Sequence, residues 1–229
     1  MKNLPIHDVL EDIKTTLNTN TTLILEAPPG AGKSTIVPIS LLSQPWLKDK
    51  IIIMLEPRRV AARMVAVQMA KLLGEVVGQS VGYQVKMDSC YSKQTKLLVV
   101  TEAILVRKLQ SDQALEDVAM VIFDEFHERS IHTDLSLALC VQVQELLRAD
   151  LKLLIMSATL DSCELTNLLG DVPVITSKGK IYDVENIYLE TNIKQPDSKS
   201  INTLLLNTTL KAIKEDEGDI LVFLAGSRE

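Results

Sequence analysis

The chain has 229 residues, of which 46% are apolar and 3% aromatic, and it carries a formal net charge of −6. Its length suits one generous domain, or one domain with a small addition. The acidic balance argues against a surface that holds nucleic acid by bulk electrostatics, while a local basic groove stays compatible with it.

Residues 1–17 alternate apolar and charged side chains at helical spacing, without a secretory apolar core. No apolar run approaches the roughly 18 residues of a membrane helix, so a cytoplasmic chain without a membrane partner is expected. Cys90, Cys140 and Cys163 are widely spaced and show no CxxC or Cys/His pattern, which leaves neither a zinc site nor a disulfide framework in prospect.

Strand-like runs follow at 21–27 (TTLILEA), 50–56 (KIIIMLE), 95–100 (TKLLVV), 119–125 (AMVIFDE), 151–159 (LKLLIMSAT) and 172–177 (VPVITS). Most are near-continuous apolar runs, the pattern of strands covered on both faces in a parallel sheet. Helix candidates lie between them at 33–43, 58–73, 101–110, 130–149 and 161–169. In the fourth of these, Leu135, Leu139, Val143 and Leu147 form one expected apolar stripe. Strands alternating with helices predict a doubly wound α/β fold on a parallel sheet.

A further strand-like run at 183–190 leads into 191–200 (TNIKQPDSKS), a polar stretch that reads as a linker. An amphipathic helix at 201–215 and a buried strand at 220–226 (ILVFLAG) then begin a new α/β unit. The expected division is a first domain over 1–190, the linker at 191–200, and the start of a second domain at 201–229.

The first strand runs directly into APPGAGKST, Ala27 to Thr35. A glycine-rich turn between a strand and a helix aims several backbone N–H groups at one point, and the helix N-terminus adds its dipole. Lys33 supplies a mobile charge for terminal phosphates, Ser34 a hard oxygen for Mg²⁺, and Gly30 and Gly32 let backbone approach closely. Ala27 replaces the first glycine of the GxxxxGK[ST] pattern, which a strand end tolerates if φ stays negative. Pro38 lacks an N–H and is expected to bend or weaken the following helix.

Two adjacent acids, Asp124 and Glu125, end the apolar run at 119–125. Adjacent strands are expected to bring Asp124 close to Ser34, where it would hold magnesium through its water shell. Glu125 would then orient and deprotonate the water that attacks a γ-phosphate. Read by themselves, the same acids would suit the N-terminus of the next helix.

GAGKST, EPRRVAARMVA, VGYQVK, TEAIL, DEFHERS and MSATL occur in that order. Together they resemble the motifs of the DEAH-box helicases of superfamily 2. DEFH in place of DEAH, with APPGAGKST and EPRRVAAR, is similar to the bacterial HrpB-type branch. The resemblance implies two RecA-like domains with ATP in the cleft between them and RNA across the top. It implies that Pro29, Gly30, Ala31, Gly32, Lys33, Ser34 and Thr35 bind nucleotide, with Ser34 and Asp124 on Mg²⁺ and Glu125 on the water. His127 would relay nucleotide state, and Ser157 and Thr159 would couple hydrolysis to strand movement. Arg58, Arg59 and Thr101 would touch the RNA sugar–phosphate backbone, contacts that carry little sequence information.

Other readings stay open for single residues. Arg58, Arg59 and Arg63 also suit a solvated helix face, His127 suits capping or packing, and Ser157 and Thr159 suit ordinary strand-end hydroxyls. The family often has Gln-Arg where Val67 and Gln68 stand, so adenine contact is in question, as is the backbone contact at Ala225. The implied activity is that of a monomeric ATP-dependent RNA helicase acting on single-stranded or partly duplex RNA, with DNA as an alternative track. A segment like QRxGRxGR is absent from the 229 residues, so these residues are expected to bind Mg·nucleotide, to hydrolyse it weakly and not to unwind duplexes. A nucleotide-gated RNA-binding module without turnover would be marked by loss of Lys33 or Glu125, and both are present. A small-molecule kinase leaves MSATL and TEAIL without a role.

Overall fold

The computed structural model describes residues 4–158, 165–166, 169–179, 184–189, 200–215 and 217–224. By its internal contacts the chain divides into two compact units, Met1–Ile181 and Tyr182–Glu229.

The first unit is built on one sheet of β1 (Thr22–Glu26), β2 (Ile51–Leu55), β3 (Val81–Val85), β4 (Asp88–Cys90), β5 (Leu97–Val100), β6 (Val118–Phe123), β7 (Lys152–Ser157) and β8 (Val174–Thr176). Its helices are α1 (Leu10–Thr19), α2 (Lys33–Ser40), α3 (Arg59–Leu72), α4 (Glu102–Ser111) and α5 (Ile131–Leu146). The strand order is β4-β3-β5-β2-β6-β7-β1-β8, and every neighbouring pair is parallel except β3 with β4.

The continuous apolar runs are explained by their alternation between two buried faces. Leu23 and Leu25 of β1, Ile52 and Met54 of β2, and Leu154 and Met156 of β7 join one core with Ile13, Val37 and Ala66 of α1, α2 and α3. Ile24, Ile53, Leu55, Leu153 and Ile155 join the other with Leu105 of α4 and Leu137 and Cys140 of α5. Every residue of β6 and β7 is buried, Lys152 included. This is the doubly wound α/β architecture that the alternation of strands and helices predicts.

Four expectations are corrected. β1 and β6 are not adjacent, because β7 lies between them. Sequence order does not fix the lateral order of parallel strands, which the crossovers decide. The expected stripe on α5 runs out of phase: Thr133, Ser136, Leu137, Cys140 and Val143 are buried, whereas Leu135 and Leu147 are exposed. A repeat of four gains about 40° per step on a helix of 3.6 residues per turn, so it leaves the core within two turns. Third, residues 184–189 carry no strand. Fourth, residues 220–224 carry none either and are exposed. Both runs are apolar enough for a strand, but neither has a paired neighbour among the described residues. The β3–β4 hairpin was not expected from the sequence. Its two-residue connection, Lys86 and Met87, puts a methionine at φ 64°, with none of the glycine or asparagine that usually marks such a turn.

Within the second unit the expected helix is present as α6 (Ile201–Glu215). Of the helix expected at 161–169, residues 165–166 and 169 are described and helical. Of the linker expected at 191–200, residues 191–199 lie outside the described residues, as do Cys163 and Ala225.

One buried cation fastens α1 to the sheet. Lys152 Nζ donates to the carbonyls of Leu17 (2.6 Å) and Asn20 (3.1 Å), at the end of α1, and lies 5.5 Å from the Trp46 ring centroid. These helix-end carbonyls have no intrahelical donor, and the ammonium takes that role. Lys152→Met keeps most of the apolar stem and strips the donors. It is expected to lower stability by about 2 kcal/mol, read as a lower urea midpoint with an unchanged m value.

Candidate active site

The C-terminal ends of β1, β7, β6, β2 and β5 form one edge of the sheet, where ligands of open α/β folds bind. β1 ends in the turn Ala27 to Gly32. Gly30 (φ 76°) and Gly32 (φ 97°) occupy the left-handed region, and Ala27 does not, so its side chain is tolerated. A Cβ on Gly32 would meet Leu4 Cδ1 at 2.9 Å and Ile6 Cγ2 at 3.1 Å. The N-terminal 3-10 turn, Pro5–Val9, thus packs beneath the glycine-rich turn, and Ile6 N donates to Ala31 O (3.2 Å). Pro29 and Gly30 are exposed and Ala31 is buried. Lys33, Ser34 and Thr35 open α2, a short helix of 8 residues that ends two residues after Pro38, so the missing N–H is accommodated near its last turn.

Lys33 is buried and its ammonium reaches across to Glu125, with Nζ 3.0 Å from Oε1. Side-chain reach therefore closes the gap that the intervening strand β7 opens. Asp124 is 1% exposed, and its Oδ1 accepts the Glu125 N–H at 2.9 Å. Its Oδ2 is buried and finds no well-aligned hydrogen-bond partner. Burial first, and then repulsion from Glu125, pushes the Asp124 carboxyl up to about 6, against the pull of the facing Ser34 hydroxyl and of Lys33. An orphaned carboxylate oxygen facing a serine hydroxyl beside a glycine-rich turn is a hard-oxygen donor set. It fits Mg²⁺ completed by phosphate oxygens and water. Among the described residues no group of three His, Cys, Asp or Glu side chains forms a metal cage by itself.

Glu125 has φ 49° and ψ 38°, a left-handed conformation costly for a side chain of its size. Its Oε2 lies 3.5 Å from His127 Nδ1, which accepts the Ala158 N–H at 3.3 Å. His127 thereby ties the turn after β6 to the residue after β7. Ser157 is buried at the end of β7, and its carbonyl accepts the Ala27 N–H at 3.0 Å. Thr159 lies outside the described residues.

The two arginines diverge. Arg58 binds Glu128, with Nη2–Oε1 at 2.9 Å and Nε–Oε2 at 3.3 Å. Arg59 Nη2 donates to Lys86 O at 2.7 Å, on the β3–β4 turn. Thr101 is buried, at the N-cap of α4.

Sequence reasoning missed Glu56, the residue between β2 and the arginines. It is 4% exposed and accepts the Arg58 N–H. Burial, then repulsion from Asp124, Glu125 and Glu128, pushes its carboxyl up to about 8. A carboxylate ending an apolar run beside another run that ends in two acids was the available signal.

Fold and site together define a RecA-like helicase domain. The chain belongs to the DEAD/DEAH box helicase family, whose model matches residues 9–168. Over 229 residues it is 44% identical to the ATP-dependent RNA helicase HrpB of Escherichia coli strain K12, covering 100% of this chain and 28% of that protein. It superimposes on the crystal structure of the Escherichia coli DEAH/RHA helicase HrpB with a TM-score of 0.89, at 44% identity and over 98% of this chain and 28% of that one. A second crystal structure, of the Escherichia coli DExH-box NTPase HrpB, matches with a TM-score of 0.81 at 44% identity, over 100% of this chain and 28% of that one. The chain thus spans about a quarter of the length of the relatives it matches.

The folded protein holds a proton on Glu56 up to about pH 8, whereas the unfolded chain releases it near 4.5. Stability contributed by this group therefore falls as pH rises between those values. In metal-free protein, Glu56→Gln is expected to raise unfolding stability by about 2 kcal/mol or more near pH 9 and to change it little near pH 4. Urea melts at the two pH values check this, and equal effects at both would refute it.

Proposed function

We propose that this chain is the nucleotide-binding part of an HrpB-type helicase that couples Mg·ATP hydrolysis to movement along single-stranded RNA and to duplex unwinding. The observation that carries the reading is the convergence of Lys33, Ser34, Asp124 and Glu125 on one spot at the sheet edge. Residues 1–190 would form the first RecA-like domain, 191–200 the linker and 201–229 the start of the second.

The residues of 29–35 would cradle phosphates with backbone N–H groups, and Lys33 would leave Glu125 for the terminal phosphate. Ser34 and Asp124 would hold Mg²⁺, which when bound would supply charge neutralisation on the phosphate oxygens. Glu125, released from Lys33, would orient the attacking water and take its proton. His127 would report the state of this turn to the segment after β7, with Ser157 and Thr159 beside it. Arg58, Arg59 and Thr101 would hold the RNA backbone. The expected working form is a cytoplasmic monomer.

Retention of both Lys33 and Glu125, already paired, favours turnover over a purely binding role. Fluorescence titration with labelled ATP and Mg²⁺ is expected to show binding at least about tenfold weaker in Lys33→Ala. Glu125→Gln is expected to bind like the parent and to lose turnover by about 100-fold. Turnover that survives Glu125→Gln would remove the base assignment. Single-stranded RNA is expected to tighten binding of a non-hydrolysable ATP analogue. DNA of the same sequence, run in parallel, tests whether the 2′-hydroxyl is read.

A further inference from the structure

The short segment 125–133 joins the proposed base to α5, and two acids tie it to the two proposed RNA-facing loops. From the loop after β2, Arg58 grips Glu128 through two contacts, at 2.9 and 3.3 Å. From the first turn of α4, next to Thr101 in the connection after β5, Glu102 Oε1 accepts the hydroxyl protons of both Ser130 and Thr133, each at 2.6 Å. Ser130 Oγ in turn accepts the Thr133 N–H at 3.0 Å and caps α5. Neither Glu102 nor Glu128 is needed for the proposed chemistry.

The backbone between these ties is strained. Glu125 lies at φ 49° and Arg129 at φ 41° with ψ 123°, both non-glycine residues in positive-φ conformations. Such residues keep these angles only where their surroundings over-determine them. Here Arg129 is clamped by Asp134 through two 3.0 Å bonds and lies 5.3 Å from the Phe126 ring centroid. The far end of the segment is therefore fixed to α5, and α5 to Glu102. The near end, with Glu125, is held by Lys33 and, three residues on, by Arg58 through Glu128.

We propose that Glu128 and Glu102 are positioning residues that transmit RNA contact to the proposed base, Glu128 as a latch that Arg58 holds shut and Glu102 as the anchor that keeps the helix still. The inference rests on the reading of Arg58 and Thr101 as RNA-facing. The Arg58 side chain is 72% exposed and that of Glu128 34%, so solvent screens the pair, its strength is modest and a phosphate oxygen can compete for the guanidinium. Arg58 then turns to the phosphate, Glu128 is released, and the turn carrying Glu125 relaxes against a helix that Glu102 prevents from following. By linkage, nucleotide bound at the acids alters RNA affinity by the same factor.

The test uses the 229-residue chain, Mg²⁺ with AMP-PNP, and a labelled single-stranded oligoribonucleotide. In the parent, RNA is expected to change the Kd for Mg·AMP-PNP by about fivefold or more. Glu128→Gln should shrink that factor to about twofold or less and tighten RNA binding without nucleotide by roughly two- to fivefold, the scale of an exposed ion pair. Glu102→Leu should also abolish the coupling, and Glu102→Gln, which keeps the acceptor oxygen, should restore it. The parental factor persisting in both Glu128→Gln and Glu102→Leu would overturn the inference while leaving the helicase reading intact. A parent whose nucleotide affinity ignores RNA, or whose RNA affinity ignores Arg58→Gln, would overturn the RNA reading and the inference with it.

Discussion

Four carboxylates, Glu56, Asp124, Glu125 and Glu128, stand close enough at one sheet edge for their repulsion to be felt at Glu56. Two cations answer them directly, Lys33 on Glu125 and Arg58 on Glu128. Backbone donors answer two more, the Glu125 N–H on Asp124 and the Arg58 N–H on Glu56. The remainder is unmet, and it takes the form of a buried orphan oxygen on Asp124 and raised proton affinity on two of the acids. An edge so arranged is stable only because rigid strands hold the acids there, and it favours any cation that enters.

The rest of the first unit supplies that rigidity. β2, β6 and β7, whose ends carry the acids and the segment beside them, are hydrogen-bonded through most of their length and packed on both faces by separate cores. Among the described residues the non-glycine residues with positive φ lie in loops and turns outside the strands, Glu125 and Arg129 at the acidic edge. The glycine-rich turn is braced from below by Ile6 and Leu4, so its curvature is set by the N-terminal segment as well as by its glycines. This division, a hard sheet under strained loops, lets a small displacement at the edge occur without repacking the core.

How much of this could be read from the residues depends on whether the signal was local. Buried parallel strands announce themselves as runs such as VIF and LLIM, and the glycine-rich turn and paired acids stand at their ends. The order of those strands does not, since β7 separates β1 from β6 for reasons of crossover geometry. The β3–β4 hairpin was hidden by a turn that uses Lys86 and Met87. The buried face of α5 was misjudged because Leu135 and Leu147 match the apolar residues of the core in kind but not in phase. Glu102 and Glu128 looked like ordinary acids because their partners are distant in sequence, and Glu56 because the acids that raise its proton affinity are.

The arginine-bearing stretch shows how an acidic chain can offer basic contacts conditionally. Arg58 is paired with Glu128, Arg59 with the Lys86 carbonyl, and Arg63 lies 3.9 Å from Asp88. Arg58 already holds a carboxylate, so there a phosphate gains only the difference between two anionic partners, whereas Arg59 gives up one carbonyl and Arg63 only a distant acid. Binding built on such exchanges is weak per contact and reversible, and its cost varies with whatever else holds the displaced acid. For Arg58 the displaced acid belongs to the same turn as Glu125, so the energy of that exchange depends on what occupies the acidic edge. Under the proposed reading, a chain with net charge −6 would grip a polyanion without a permanently basic face, and would release it when the edge changes its charge.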